Sequence, residues 1–262
     1  MSEMNTLENA VAIAKTAKVV FPETTKEADG AVSTLVGWFN NVVLYPIKKA
    51  NITYRYKLEQ FEEDLTKKVI QIPESELHEP NLMIAGPTLE ALKYTIDEEK
   101  LREMYLNLLA SSMDSRENEN IHPSFVEIIR QMDTVDATVF KYLASQKGYI
   151  KSLNPLVMNP KSRRGPLRAM PEWFIGEVEE LNIFQISTSI IRLSRFGLIN
   201  LEYNRSFEES EYAELTNSPS LQSILEGCIA ASPEENFVMN SNRSTIYVNE
   251  SGTRFARACL NI

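Results

Sequence analysis

The amino-acid sequence predicts a mainly α-helical protein that ends in a small α+β unit with a β-hairpin. The first observation is the spacing of apolar residues, which recur every three or four positions, as Leu58, Phe61 and Leu65 do. This is the period of one helix face. The second is that residues typical of helix starts and stops bracket these stretches. The third is that only two short segments, 198–203 and 244–248, are predicted as strands.

The predicted elements fall into three parts: a helical extension at 1–30, a helical domain at 31–132 and a C-terminal domain at 133–262. In the first two parts the pattern predicts helices over 4–20, 31–47 and 48–70, one capped by Thr88, one opened by Asp97 and one that starts near His122. For the last of these, Pro123 as the first helical residue and a capping box of Ser124 with Glu127 imply different caps, and both stay open. The polar run 114–120 is predicted as a loop.

The C-terminal domain shows the element order of a winged helix-turn-helix. Asp133 or Thr134 caps a first helix, which Gly148 ends. Two further helices are predicted over 172–181 and 184–196, with Gly197 as the C-cap, followed by the two strands and a last helix over 251–260. Three helices and a two-stranded wing are the parts of a winged helix. An insertion, 204–243, separates the strands and has its own predicted helix over 221–230, which leaves open whether the wing contacts DNA.

The net charge, the cysteine count and the N-terminal pattern disfavour several classes of protein. The chain has 262 residues and a formal net charge of -9 at pH 7, and phosphate binding needs clustered Lys and Arg, so a general nucleic-acid coat is disfavoured. The two cysteines, Cys228 and Cys259, are too few for a disulfide framework. The N-terminus lacks the charge and apolar pattern of a secretory signal. We therefore expect a cytoplasmic protein.

The most apolar stretch of the chain is 31–47. It is shorter than the roughly 20 apolar residues that span a bilayer, so a buried or amphipathic helix is predicted. A segment that inserts into a membrane is the alternative.

Two places carry candidate contact residues. The basic loop 149–171 contains no acidic residue, which suits an anion, a nucleic-acid strand or an acidic partner surface; a flexible solvated loop is the alternative. The third helix of the C-terminal domain offers side chains that a DNA-reading helix would place against base edges and phosphates, and protein contacts are the alternative. The candidate residues are Lys161, Arg163, Arg164 and Arg168 in the loop, and Gln185, Ser189, Arg192 and Arg195 in the helix.

No motif in the sequence predicts catalysis. His78, His122 and the two cysteines do not have the spacing of a zinc site, and His122 is predicted to cap a helix. A Gly-rich phosphate loop, GxSxG and HExxH are all absent from the sequence, and none of the many carboxylates belongs to a catalytic motif. We therefore predict that the protein is not an enzyme and holds neither a cofactor nor a metal.

Several stretches together resemble the Abi-alpha family, a bacterial domain associated with abortive infection, which is a defence against phage. The matching stretches are the IP of Ile72 and Pro73, GPTLEAL at 86–92, LREMYLNLLASSMD at 101–114, HPSFVEIIRQM at 122–132, RLSRFGLI at 192–199 and GTRFARAC at 252–259. The likeness runs from about residue 30 to the end, and 101–132 is its most specific part.

The resemblance implies a bacterial, cytoplasmic phage-defence protein and supplies no catalytic residue. With the basic loop and the winged-helix order, it predicts a non-enzymatic sensor or binding module whose partner is a phage or host protein. A membrane-acting effector that uses 31–47 is one alternative, and a DNA-binding regulator that uses Arg192 and Arg195 is another. Nucleic acid and a second copy of the chain are the other partners considered.

Overall fold

A computed structural model describes Gly37 and residues 52–162, 165–167 and 169–262. The predicted extension at 1–30 lies outside the described residues, as does 31–47 apart from Gly37. The chain divides near residue 130 into two compact units. Within the described ranges, no helix has both the length and the hydropathy needed to cross a membrane.

The first unit is helical. Its helices are α1 (Ile52–Val69), α2 (Leu82–Thr95), α3 (Glu99–Ser111) and α4 (Ser124–Gln131), with short 3-10 turns at Glu74–Glu76 and Ser115–Asn120. The predicted stripe of α1 is confirmed, because Leu58, Phe61, Leu65 and Val69 are all buried. Both α1 and α2 pack against α3, so the apolar face of α3 is central to this core.

The start of α2 corrects the sequence prediction. Asn81, not Thr88, is the N-cap, and its side-chain oxygen accepts a hydrogen bond of 2.9 Å from the backbone N–H of Met83. Thr88 is buried inside the helix. The first turn was missed because Leu82 and Met83 are apolar but exposed, which hides the helical period there.

The polar run 114–120 is ordered rather than an open loop. Asp114 caps a 3-10 turn and accepts hydrogen bonds from the backbone N–H of Arg116 at 3.0 Å and from its guanidinium at 2.6 Å. The hydrogen bonds from Arg116 lower the pKa of the Asp114 carboxyl. The backbone N–H of His78 donates to the carbonyl of Met113, which ties this segment to the 3-10 turn before α2.

The second unit combines helices with a small sheet, which confirms the predicted fold class. Its elements are α5 (Thr134–Ser145), β1 (Ile150–Met158), α6 (Ile183–Arg195), β2 (Ile199–Glu202), α7 (Ala213–Thr216), α8 (Pro219–Ala231), β3 (Val238–Val248) and α9 (Glu250–Leu260), with a 3-10 turn at Glu209–Tyr212. The sheet is antiparallel in the order β1-β3-β2. Asp133 is the N-cap of α5 and forms a capping box with Asp136.

The predicted helix over 172–181 is absent. This segment lies beside β1 instead, where Leu153 and Phe174 exchange backbone hydrogen bonds of 2.8 and 2.9 Å. Trp173, Phe174 and Ile175 are buried in succession in this extended segment. The second helix of the winged-helix order is therefore missing from this unit.

The sheet is larger than the predicted two-stranded wing. The first half of the basic loop is strand β1, and β3 extends over 238–248 rather than 244–248. Pro155 obscured β1 in the sequence, but proline is tolerated here because β1 is an edge strand. The insertion after β2 folds onto the sheet, since its Tyr212 and Leu221 share a buried cluster with Leu153.

A close contact joins α9 to the turn between α6 and β2. Asn249 caps α9, because its side-chain oxygen accepts a hydrogen bond from Gly252, while its side-chain amide donates to the carbonyl of Gly197. A methyl group at Gly252 would lie 2.0 Å from the carbonyl oxygen of Leu198. Only glycine lets the helix approach this backbone so closely.

Gly252→Ala should therefore destabilise the protein. The added methyl group meets backbone, which cannot rotate away, so we expect the free energy of unfolding to fall by about 3 kcal/mol. Gly227→Ala in α8 is the matched control, because a methyl group there meets no atom within 4 Å and alanine favours the helix by up to about 1 kcal/mol. Denaturant unfolding measures both, and equal stability of the two variants would contradict the contact.

Candidate functional site

A buried carboxylate joins α5 to α6. Asp136 is only 1% exposed and accepts hydrogen bonds from the Ser189 hydroxyl at 2.7 Å and from Nε of Arg192 at 2.9 Å. A terminal nitrogen of the same guanidinium lies 2.8 Å from Asp136 and 3.0 Å from Asp133. The hydrogen bond to Asp136 raises the pKa of Arg192 further above its usual range. These contacts fasten one helix to the other.

These contacts determine which of the predicted residues of α6 are available to a partner. Ser189 is buried, and the guanidinium of Arg192 is engaged by two carboxylates. Gln185 is exposed, although its side-chain oxygen accepts a hydrogen bond from the backbone N–H of Asn182 at 3.2 Å in the cap of α6. Arg195 is exposed, and no carboxylate of the described residues pairs with it.

The loop candidates are not brought to α6 by any contact in the described residues. Lys161 is exposed, and its backbone N–H donates to the side chain of Asn159 in a turn after β1. Arg163, Arg164 and Arg168 lie outside the described residues. The predicted contact residues therefore do not form one site in the part of the chain that the structure describes.

A different group of side chains does come together, at the end of the sheet where β1 begins. The guanidinium carbon of Arg205 lies 4.1 Å from the centre of the Tyr149 ring, which is a cation–π contact. The ring of Tyr149 meets the ring of Tyr247 edge-on, with 5.0 Å between their centres. We call these three residues the Tyr149 surface. Tyr149 itself is 38% exposed.

Sheet register and a chain of hydrogen bonds hold the Tyr149 surface in place. The pairing of Ile150 with Ile246 continues one step further to set Tyr149 beside Tyr247. The side-chain amide of Asn200 donates to the Tyr247 hydroxyl at 2.7 Å, and Asn249 donates to Asn200 at 3.0 Å. The cap of α9 thereby orients Tyr247, so that the surface is prearranged rather than assembled on contact.

Three cations lie close to Tyr149 in the chain or in space. Lys147 and Lys151 flank it in sequence, and with Arg205 they have no carboxylate partner among the described residues. In contrast, Arg192, Arg243 and Arg254 of the same unit are each ion-paired. Lys147, Arg205 and the Tyr149 ring are exposed, and such groups are able to bind acidic or aromatic groups of a partner.

Both imidazoles bond to nearby residues, and one of the two cysteine thiols is buried. A ring nitrogen of His122 accepts a hydrogen bond from the backbone N–H of Ser124 at the start of α4, and that of His78 lies 3.2 Å from Asn118. Burial raises the pKa of the Cys259 thiol well above its usual range, which keeps it protonated. The described residues include no cluster of three or more His, Cys, Asp or Glu that could hold a metal ion.

The Tyr149 surface could not be predicted from the sequence because its members are far apart in the chain. Tyr149 and Tyr247 meet only through the register of β1 and β3, and the sequence predicts a loop where β1 lies. Lys151 belongs to the predicted basic loop, but its neighbour Lys147 lies just outside it. The one local signal was the alternation of lysine and tyrosine at 147–151.

Removing the Asp136 carboxylate should destabilise the second unit. In Asp136→Ala the Ser189 hydroxyl and the Arg192 guanidinium lose their acceptor inside the α5–α6 contact, which costs about 3 kcal/mol in comparable pairs. Arg195→Ala is the matched control, since its exposed side chain should contribute less than about 0.5 kcal/mol. Denaturant unfolding of both variants measures the difference. Asp136→Ala unfolding at the same denaturant concentration as Arg195→Ala would show that the network adds no stability.

One protein family matches most of this chain. The family model described as abortive infection alpha matches residues 53–259. No curated protein sequence and no solved structure gives a significant match. The matched range spans α1 to α9, except for the first residue of α1 and the last of α9, so both units carry the relationship. The chain therefore belongs to the abortive infection alpha family, which associates it with defence against phage.

Proposed function

We propose that this protein acts in abortive infection as a non-enzymatic binding module, and that its Tyr149 surface contacts a protein of the phage or the host. The observation that carries the proposal is the stack of Arg205 on Tyr149 beside Tyr247 at an exposed end of the sheet. Tyrosine and arginine are enriched among the residues that dominate binding energy at protein interfaces. A prearranged group of this kind loses little conformational entropy when a partner binds.

The charges of α6 favour protein over duplex DNA as the partner. Arg192, which a DNA-reading helix would place on a phosphate, is already paired with Asp133 and Asp136. Glu177, Glu179 and Glu180 precede the helix and would repel a phosphate backbone near its start. Arg195 alone is too small a positive footprint for specific DNA binding.

The contacts of the polar side chains support a role without catalysis. Ser187 accepts a hydrogen bond from the backbone of Trp173, and Ser189 donates to Asp136. Both imidazoles bond to neighbours that position the backbone of the first unit. These groups stabilise the fold, whereas the Tyr149 ring and the Arg205 guanidinium of the Tyr149 surface are exposed and can contact a partner.

Tyr149→Ala should impair phage defence while leaving the fold intact. Truncation removes the ring that Arg205 and Tyr247 contact, and loss of such an interface residue costs about 2 kcal/mol or more of binding. We expect the efficiency of plating of a restricted phage to rise at least about tenfold, in line with that loss. Tyr94→Ala is the matched control, because Tyr94 is 78% exposed on α2 and belongs to the first unit.

Two results would count against the proposal. If cells with the gene plate a broad panel of phages as efficiently as cells without it, the role in defence fails. If Tyr149→Ala restricts phage as well as the unaltered protein does, the Tyr149 surface is not the contact. Thermal unfolding of each variant separates lost binding from lost stability.

A further inference from the structure

A cleft of about 450 Å³ opens beside Tyr149 in the second unit. One wall is the end of α5 and the start of β1, and it includes Lys147 and Lys151. The insertion after β2 forms another part of the lining, and it includes Glu211 and Glu214. Tyr142 and Leu215 also line the space, so the cleft has apolar surface between two charged walls.

The basic wall is available to a ligand. The side chain of Lys147 is exposed and that of Lys151 is half-buried. Neither ammonium is paired with a carboxylate of the described residues. Tyr149 lines the cleft together with the two lysines, so the cleft and the Tyr149 surface share this residue.

The acidic wall is available as well. Glu211 and Glu214 are three residues apart at the junction of the 3-10 turn and α7, which places them on one side of this helical segment. Both are exposed, and neither is ion-paired within the described residues. Glu177 lines the same cleft and accepts hydrogen bonds from Ser220 at 2.8 Å and Ser218 at 3.0 Å.

The charges of both signs in the lining determine which ligand fits the cleft. A simple anion is attracted by the lysines and repelled by the glutamates, whereas a simple cation is attracted by the glutamates and repelled by the lysines. A peptide can satisfy both walls, because its basic and acidic side chains stand several ångströms apart on one extended segment. Complementary charge of this kind gives an interface its specificity.

We propose that the cleft binds a segment of the partner protein that carries a basic and an acidic side chain close together, with the basic group toward Glu211 and Glu214 and the acidic group toward Lys147 and Lys151. The inference rests on the proposed function and names the chemistry of its partner. Tyr142 and Leu215 would contact the apolar part of the same segment.

Two charge-neutralising variants test whether the partner segment carries both charges, according to whether each variant weakens or strengthens phage defence. Lys147→Gln with Lys151→Gln removes the basic wall, and Glu211→Gln with Glu214→Gln removes the acidic wall, both with little change of size. A mixed-charge segment loses an attraction in each case, so we expect both double variants to raise the efficiency of plating at least about tenfold. Tyr149→Ala in the same assay reports on the proposed function itself.

Each other result overturns the inference in a distinct way. Weaker defence with the lysine variant but stronger defence with the glutamate variant indicates an anionic partner such as nucleic acid, and the reverse pattern indicates a cationic one. If Tyr149→Ala abolishes defence while both double variants restrict phage normally, the cleft is not used and the proposed function stands. If Tyr149→Ala has no effect either, the proposed function fails together with the inference. Unchanged thermal unfolding of the variants assigns the effects to binding.

Discussion

The carboxylate of Asp136 is the constraint on which the second unit depends. Burial of an ionised carboxylate costs several kcal/mol unless hydrogen bonds and an opposite charge replace the lost water. Ser189, Arg192 and the backbone N–H of Asp133 supply that replacement. Because these donors come from the start of α5 and from the middle and last turn of α6, the two helices have one register in which the charge is satisfied. The same contacts remove Arg192 from the cations available to a ligand.

The insertion after β2 packs on the sheet. In a winged helix the two strands after the third helix form a free wing, whereas here Tyr212 and Leu221 of the insertion pack with Leu153 of β1. The Tyr212 hydroxyl also donates to the carbonyl of Ser244 in β3 at 2.9 Å. The insertion therefore covers part of the sheet, and its Arg205 and Leu215 also reach Tyr149 and the cleft beside it.

Local signals predicted the elements well, and non-local pairing accounts for most of the errors. Asp133 was predicted as one of two candidate caps and is the N-cap of α5. Gly197 was predicted as the C-cap of α6, but the C-cap is Phe196, and Gly197 follows it with a φ of 72° that turns the chain out of the helix. Each signal depends on a few adjacent residues. The predictions for strand β1 and for the segment around Phe174 were wrong because the structure of both depends on partners that are distant in sequence. The Tyr149 surface and the cleft depend on the same pairings, so neither was visible in the sequence.

Unpaired surface charges explain how such a site discriminates among partners. While water solvates them, Lys147, Lys151, Glu211 and Glu214 cost the free protein little. A partner that covers the cleft without matching charges leaves each of them desolvated, and an uncompensated buried charge is costly. A partner with matching charges avoids that cost and adds contact with the rings. The selectivity that we propose for the cleft therefore rests more on the penalty for mismatched partners than on the attraction of matched ones.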